Sequence, residues 1–152
     1  MKTLGNILWH FPFMGFMSAA FVCIIGLLLV LTVVAAPIGL GLLQLSNFLL
    51  WPFGRSMVSK SDMEIETNQL WEAYSVVVMI LYFPIGLILS IIGILQIVGL
   101  FFSIIGIPVA IVIAKSLSTY LNPVNKKCVH SAVADEIERR RAQEIINNAG
   151  LK

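Results

Sequence analysis

Two long blocks of the chain carry almost no charge. From Leu4 to Phe53 there is no Asp, Glu, Lys or Arg, and from Ala73 to Val124 there is only Lys115. As one straight helix, either block's uninterrupted apolar stretch of roughly 45 residues would run about 65–70 Å, twice the ~30 Å hydrocarbon core of a bilayer. Hydrophobic residues make up 59% of the 152 and charged residues 12%, about half the share usual in soluble domains. A chain this short cannot hide that much apolar surface from water. The sequence therefore reads as an integral membrane protein whose apolar blocks fold back on themselves.

The place to fold back is marked twice. "LTVVAAPIGLG" (Leu31 to Gly41) and "FFSIIGIPVAI" (Phe101 to Ile111) each hold a proline in an apolar run. Proline inside a helix costs about 3 kcal/mol, but it is tolerated in the first turn, where its missing N–H would be unpaired anyway. Pro37 and Pro108 thus predict the starts of return helices after tight hairpin turns. A shift of 71 residues lays Pro37 on Pro108, Pro52 on Pro123, Gly15 on Gly86, Leu29 on Leu100, Leu50 on Leu121, Val58 on Val129 and Arg55 on Lys126. That is an internal repeat.

The expected fold class is an all-α integral membrane protein: two tandem, parallel helical-hairpin repeats, about four membrane helices, plus a cytosolic C-terminal helix. The first hairpin (within 1–58) pairs a helix from about Phe13 to Val34 with one from Pro37 to about Leu50. A cytosolic linker follows (59–72). The second hairpin (within 73–129) pairs Ala73 to Ile105 with Pro108 to Tyr120, and the tail (130–152) forms a helix capped by Ser131. The return helices, at roughly 14–17 residues or ~21–25 Å, either just span or are re-entrant. Asp135–Arg139 and Glu136–Arg140 are i,i+4 pairs expected on the tail helix.

Orientation follows from basic residues near membrane ends. Lys2, Arg55, Lys60, Lys126 and Lys127 lie outside the apolar blocks, and the two turns carry no charge. This predicts N- and C-termini in the cytoplasm, a multi-pass chain, and both turns together on the far side. The repeats would then be related by an axis along the membrane normal. Lys2 before an apolar run resembles the start of a signal peptide, but Pro37 directly after "VVAA" disfavours cleavage there, and the N-terminal segment is expected to be retained.

Small residues recur in register on the long helices, Gly15 and Ala19 in the first and Gly86 and Ser90 in the second. This small-xxx-small spacing permits close helix packing. The return helices carry polar stripes. Gln44, Asn47 and Trp51 share one face, and the aligned positions are Lys115, Ser118 and Asn122. A lysine deep in an apolar helix costs about 2.5–3.5 kcal/mol on insertion scales, so it faces a cavity, a partner or the interface. Two readings stay open. The stripes line a polar path, or Lys115 snorkels while Gln44 and Asn47 bond between helices.

Cys128 and His130 form a Cys-x-His pair with no further ligand nearby, so a solvated thiol and imidazole are expected, and no metal or cofactor. Paired acids and nucleophilic triads are absent from the membrane blocks, which argues against an enzyme. The net charge of +2 and the lack of a glycine-rich phosphate loop argue against nucleic acid as a partner.

"NILW" (Asn6–Trp9), "WPFGR" (Trp51–Arg55) and "SIIGIPVA" (Ser103–Ala110) resemble the YccF family of bacterial inner membrane proteins. The resemblance covers most of the chain up to about Val129. It implies one or more copies of a short inner-membrane component domain, here two, and location in the bacterial inner membrane. It implies no biochemical activity. The chain departs from the family at Ala110, where glycine is common, and at Asn122-Pro123-Val124-Asn125-Lys126, where the family has Trp-Pro-x-Gly-Arg. The function expected is an oligomeric channel or transporter-like component. The alternative is an accessory protein packing on a larger membrane partner or organising lipid. Membrane lipid and further copies of the chain are the expected partners.

Overall fold

The computed structural model describes residues 2–11, 13–63 and 68–150. Among the described residues six helices and two short strands follow in order: α1 (Lys2–His10), α2 (Gly15–Leu31), α3 (Ala36–Leu50), β1 (Arg55–Ser59), α4 (Gln69–Phe101), α5 (Ile107–Leu121), β2 (Lys126–His130) and α6 (Ser131–Asn148). Single 3₁₀ turns, Ser61–Met63 and Ile104–Gly106, precede α4 and α5. Residues 64–67 of the expected linker lie outside the described residues.

Both prolines sit where the first-turn argument puts them, in the opening turns of α3 and α5. α3 ends at Leu50 and α5 at Leu121, just before the buried Pro52 and Pro123. α2 packs along α3, and α4 along α5. In the first pair the backbones approach closely: Gly39 lies against the Gly26 carbonyl and Val30, with no room for a Cβ. The buried Ser46 hydroxyl donates to the Ala19 carbonyl at 2.8 Å. In lipid such a bond replaces one that water cannot supply.

The first turn is strained. Val33 has φ 59°, a left-handed conformation costly for a β-branched residue. The Thr32 hydroxyl donates to the Leu29 carbonyl at 2.7 Å, and the Tyr74 hydroxyl reaches the Val33 and Val34 carbonyls at 3.2 and 2.5 Å.

The helix expected from about Phe13 to Val34 forms as Gly15–Leu31, preceded by the separate helix α1, which meets it at 76°. Two features differ from the sequence expectation. The chain is not all-α, because a segment after each return helix is a strand. β1 and β2 form a two-stranded antiparallel ribbon with Arg55 opposite His130, Met57 opposite Cys128 and Ser59 opposite Lys126. The two turns are not together. Tyr74, in the second turn of α4, rests on the first hairpin turn. α4 then continues as one 33-residue helix to Phe101, beside the second turn. From Tyr74 to Phe101 is about 40 Å along the axis at 1.5 Å per residue. The hairpins therefore point toward opposite ends of α4. A hydroxyl contact between distant segments decides this, and no periodicity encodes it.

By length and composition α4 can cross a membrane. α1 and α2 together make a bent second candidate. α3 and α5, at 15 residues each, are shorter apolar helices, about 22 Å long.

The tail helix forms as Ser131–Asn148, but with different details. His130, not Ser131, is the cap: its Nδ1 accepts from the Ala132 N–H at 3.3 Å. The Asp135–Arg139 pair is replaced, because Arg139 turns to Glu136 (2.8 Å), which Arg140 also holds (3.0 Å).

Candidate functional site

The polar residues singled out by sequence gather where the ribbon meets the return helices. The Gln44 amide oxygen accepts from the Cys128 backbone N–H at 3.0 Å. In an antiparallel ladder alternate N–H groups point away from the partner strand. Gln44 thus caps an outward donor of β2, 84 residues away. Asn47 accepts from the Arg55 guanidinium. Lys115 donates to the Pro52 carbonyl at 3.3 Å, at the foot of the first hairpin. Asn122 donates to the Met79 sulfur at 3.0 Å and accepts from Val124 N–H at 3.0 Å. The exposed Ser118 lends its carbonyl to the Asn122 N–H. These residues tie chain segments together at the ribbon. The return helices fully bury Leu45, Phe48, Val112, Ser116 and Thr119, and the Ser116 hydroxyl donates to the Val112 carbonyl at 2.9 Å.

The ribbon is extended at both ends by backbone bonds, Lys60 N–H to Asn125 (2.8 Å) and Ser131 N–H to Gly54 (3.0 Å). Gly41, mid-way along α3, lies so close to the Pro123 carbonyl that no Cβ fits. The foot of the second hairpin is thereby pressed into the middle of α3, while Lys115 brings the foot of the first to α5. Gly15 and Ala19 are buried inside the first hairpin, under the Trp9 ring and the Ser46 hydroxyl. Gly86 lies against the Leu121 carbonyl, and Ser90 is buried on the same helix. All four small residues face their own hairpins.

Electrostatics around the ribbon are those of a half-buried basic patch. Burial pushes the Lys126 ammonium below the usual lysine range, and Asp62 acts in the opposite sense. Burial raises the Cys128 thiol, with Arg55 opposing. A raised thiol is a poor nucleophile. Exposed Glu136 is lowered chiefly by its hydrogen bond to Arg140. Arg141 reaches back to Asp62 at 3.2 Å and ties α6 to the turn after β1.

The ribbon escaped sequence reading because "RSMVS" and "KKCVH" are short, and neither alternates clearly. The signal that could have found it was the repeat itself: Arg55 on Lys126 and Val58 on Val129 are matched positions within the two strands.

Residues 4–55 match the family model of YccF, described as an inner membrane component domain. The matched span runs from α1 through α3 to the first residue of β1. It points to a membrane protein of the bacterial inner membrane, and it covers one copy. No curated protein and no solved structure matches the chain.

Proposed function

We propose that the chain is a structural or accessory component of the bacterial inner membrane, built from two copies of a hairpin-plus-strand unit and without a path of its own for solutes. The observation that carries this reading is the use of the polar stripes. Gln44, Asn47, Lys115 and Asn122 spend their polar atoms on Cys128, Arg55, Pro52 and Met79. A side chain engaged in holding the fold is not available to replace the hydration shell of a passing ion.

Two further observations support the two-copy reading. α3 and α5 begin at residues 36 and 107, and β1 and β2 at 55 and 126: both pairs are separated by 71, the shift that aligns the prolines. Met57 and Cys128, also 71 apart, face each other at the centre of the ribbon, as a twofold between copies requires. The basic residues in and beside the ribbon support a cytoplasmic side for it and for both termini. Such a protein acts by occupying lipid and by presenting its ribbon and α6 to partners, among them further copies of itself or a larger membrane protein.

Conductance of the pure protein in planar bilayers tests this. No conductance above the lipid background is expected across a salt gradient. Ion-selective conductance that changes sign of selectivity in Lys115→Glu would overturn it in favour of an oligomeric channel with Lys115 on the path.

A further inference from the structure

We infer that the two hairpins lie along one leaflet of the bilayer, with the ribbon and α6 in water on one side of them and lipid acyl chains as the partner of the opposite face. This rests on the reading of the chain as membrane-embedded and replaces crossing by lateral insertion.

Three contacts fix positions along α4. Tyr74 marks the first hairpin turn, Gly86 the foot of the second hairpin at Leu121, and Phe101 the second turn. The foot of the second hairpin is therefore at the middle of α4, and Lys126 follows Leu121 by only five residues. If α4 stood upright with its ends at opposite interfaces, its midpoint would lie at the bilayer centre. The ribbon, with Arg55, Lys126 and Lys127, would be held there, and so would the start of α6, which carries seven charged residues. Ionisable groups at that depth are among the costliest a membrane protein can hold. They escape to water only if the direction from α4 to the ribbon is the membrane normal, which lays α4 along the surface.

The symmetry of the contacts leads to the same place. Each foot meets the other copy's return helix part-way along: Pro123 at Gly41, and Pro52 at Lys115. Points related by a twofold lie at equal heights along it. α3 from Gly41 to its foot therefore gains no height along the axis that passes between Met57 and Cys128. α3 and α5 run across that axis, and the ribbon caps one end of it. An axis along the normal with helices across it describes a wedge in one leaflet.

The segment joining Ser59 to Asn68 adds an independent limit. It contains Lys60, Asp62, Glu64 and Glu66, and its nine steps reach about 30 Å when fully extended. It cannot traverse a hydrocarbon core, because its backbone and charges would go unsatisfied there. The start of α4, and the first turn bound to it through Tyr74, are thus on the ribbon's side. The exposed apolar surface of the hairpins is what acyl chains fit. Phe102 is 90% exposed and Ile104 87%, and neither turn carries a charge.

Single cysteines at Ala36→Cys and Phe102→Cys, in a Cys23→Ser, Cys128→Ser chain, test the placement with a membrane-impermeant maleimide. From the periplasmic face neither should label above background, in vesicles where Lys60→Cys labels fully from the opposite face. Periplasmic labelling of either overturns the inference. A second measurement uses the native tryptophans, so that a poorly folded cysteine variant does not decide. Brominated phospholipid confined to the ribbon-side leaflet should quench both Trp51 (read in Trp9→Phe, Trp71→Phe) and Trp71 (read in Trp9→Phe, Trp51→Phe). Quenching of the two from opposite leaflets overturns the inference, since α3 would then cross. Alkaline carbonate separates the two levels. A chain that washes off refutes membrane embedding itself, and one that stays but labels from the periplasm refutes only the lateral placement.

Discussion

The two hairpins meet the same physical demand with different residues. Each return helix ends with carbonyls that have no partner within the helix. In the first hairpin α1 bends back at 76°, so that the Trp9 indole donates to the Leu49 carbonyl at 2.8 Å and the His10 ring Nε2 contacts the Leu50 carbonyl at 2.8 Å. In the second, α4 runs on past the same place as one unbroken helix with Pro84 inside it, and the Tyr82 hydroxyl donates to the Tyr120 carbonyl at 3.2 Å. Leu49 and Tyr120 are 71 residues apart. The bend brings Trp9 over Gly15 and buries it to 6% exposure. The unbroken helix instead leaves a groove of about 450 Å³ lined by Met79, Ile80, Phe83, Leu121 and Asn122. What recurs between the two hairpins is the carbonyl that needs a donor. The donor itself, and the path of the chain that delivers it, are free to differ.

The largest break in the comparison comes from giving the first hairpin the second's residue at a crowded site. Val112 corresponds to Gly41, and Gly41 has no space beside Pro123. Gly41→Val should therefore cost about 3 kcal/mol or prevent folding, as overpacking does, seen as a lowered midpoint of thermal unfolding in mild detergent. A cost near zero would show that the foot of the second hairpin is not pressed into α3. Next comes Trp9→Phe, which leaves the Leu49 carbonyl without its donor inside a buried cluster. A loss of about 1–3 kcal/mol is expected. Tyr82→Phe makes the matching deletion at a half-buried site and should cost about 1 kcal/mol or less. Equal costs would mean that the bend of α1 adds nothing to the first hairpin.

Exchange of the polar pair sharpens the comparison further. Gln44→Lys removes the acceptor of the Cys128 N–H, since an ammonium only donates, and should cost about 1–2 kcal/mol. Lys115→Gln keeps a donor within reach of Pro52 and should be nearly silent. The double exchange should resemble Gln44→Lys alone. Denaturant midpoints of the three variants check this.

These differences mark how much was legible in the sequence. Pro37, Pro108, Pro52 and Pro123 set the ends of the return helices, because the ring's geometry acts locally. Gly15, Ala19, Gly86 and Ser90 could be read as packing residues for the same reason: absent side-chain bulk is a local property. The ribbon could not be read from either strand alone, because Met57 meets Cys128 only through pairing across 71 residues. The way α4 meets the first hairpin was not legible either. It places the first turn beside Tyr74, and the choice between bending like α1 and running on rests on tertiary bonds to Leu49, Leu50 and Tyr120. The roles of Gln44 and Lys115 followed the same rule. Their polarity was evident, and their partners depended on where the ribbon falls.

The smallest expected effect concerns pH and sets the two strands against each other. Burial holds the Lys126 ammonium below its ordinary value of 10.5, so the charged form is disfavoured in the fold. Between the lowered folded value and 10.5 the unfolded chain binds more protons, and stability from this group rises with pH. Burial holds the Cys128 thiol above its ordinary 9.0. From 9.0 up to that raised value the folded chain keeps the proton that the unfolded chain releases, and stability from this group falls with pH. The two slopes oppose each other wherever the windows overlap. Wild type should therefore show a shallow alkaline profile. Lys126→Gln should remove the rise and leave a net fall above pH 9.0. Cys128→Ser should remove the fall and leave a net rise. Unfolding midpoints in detergent from pH 8 to 10.5, each variant referenced to its own value at pH 8, decide the matter. Parallel profiles for the two variants would show that Lys126 and Cys128 are as well solvated in the folded ribbon as in the unfolded chain.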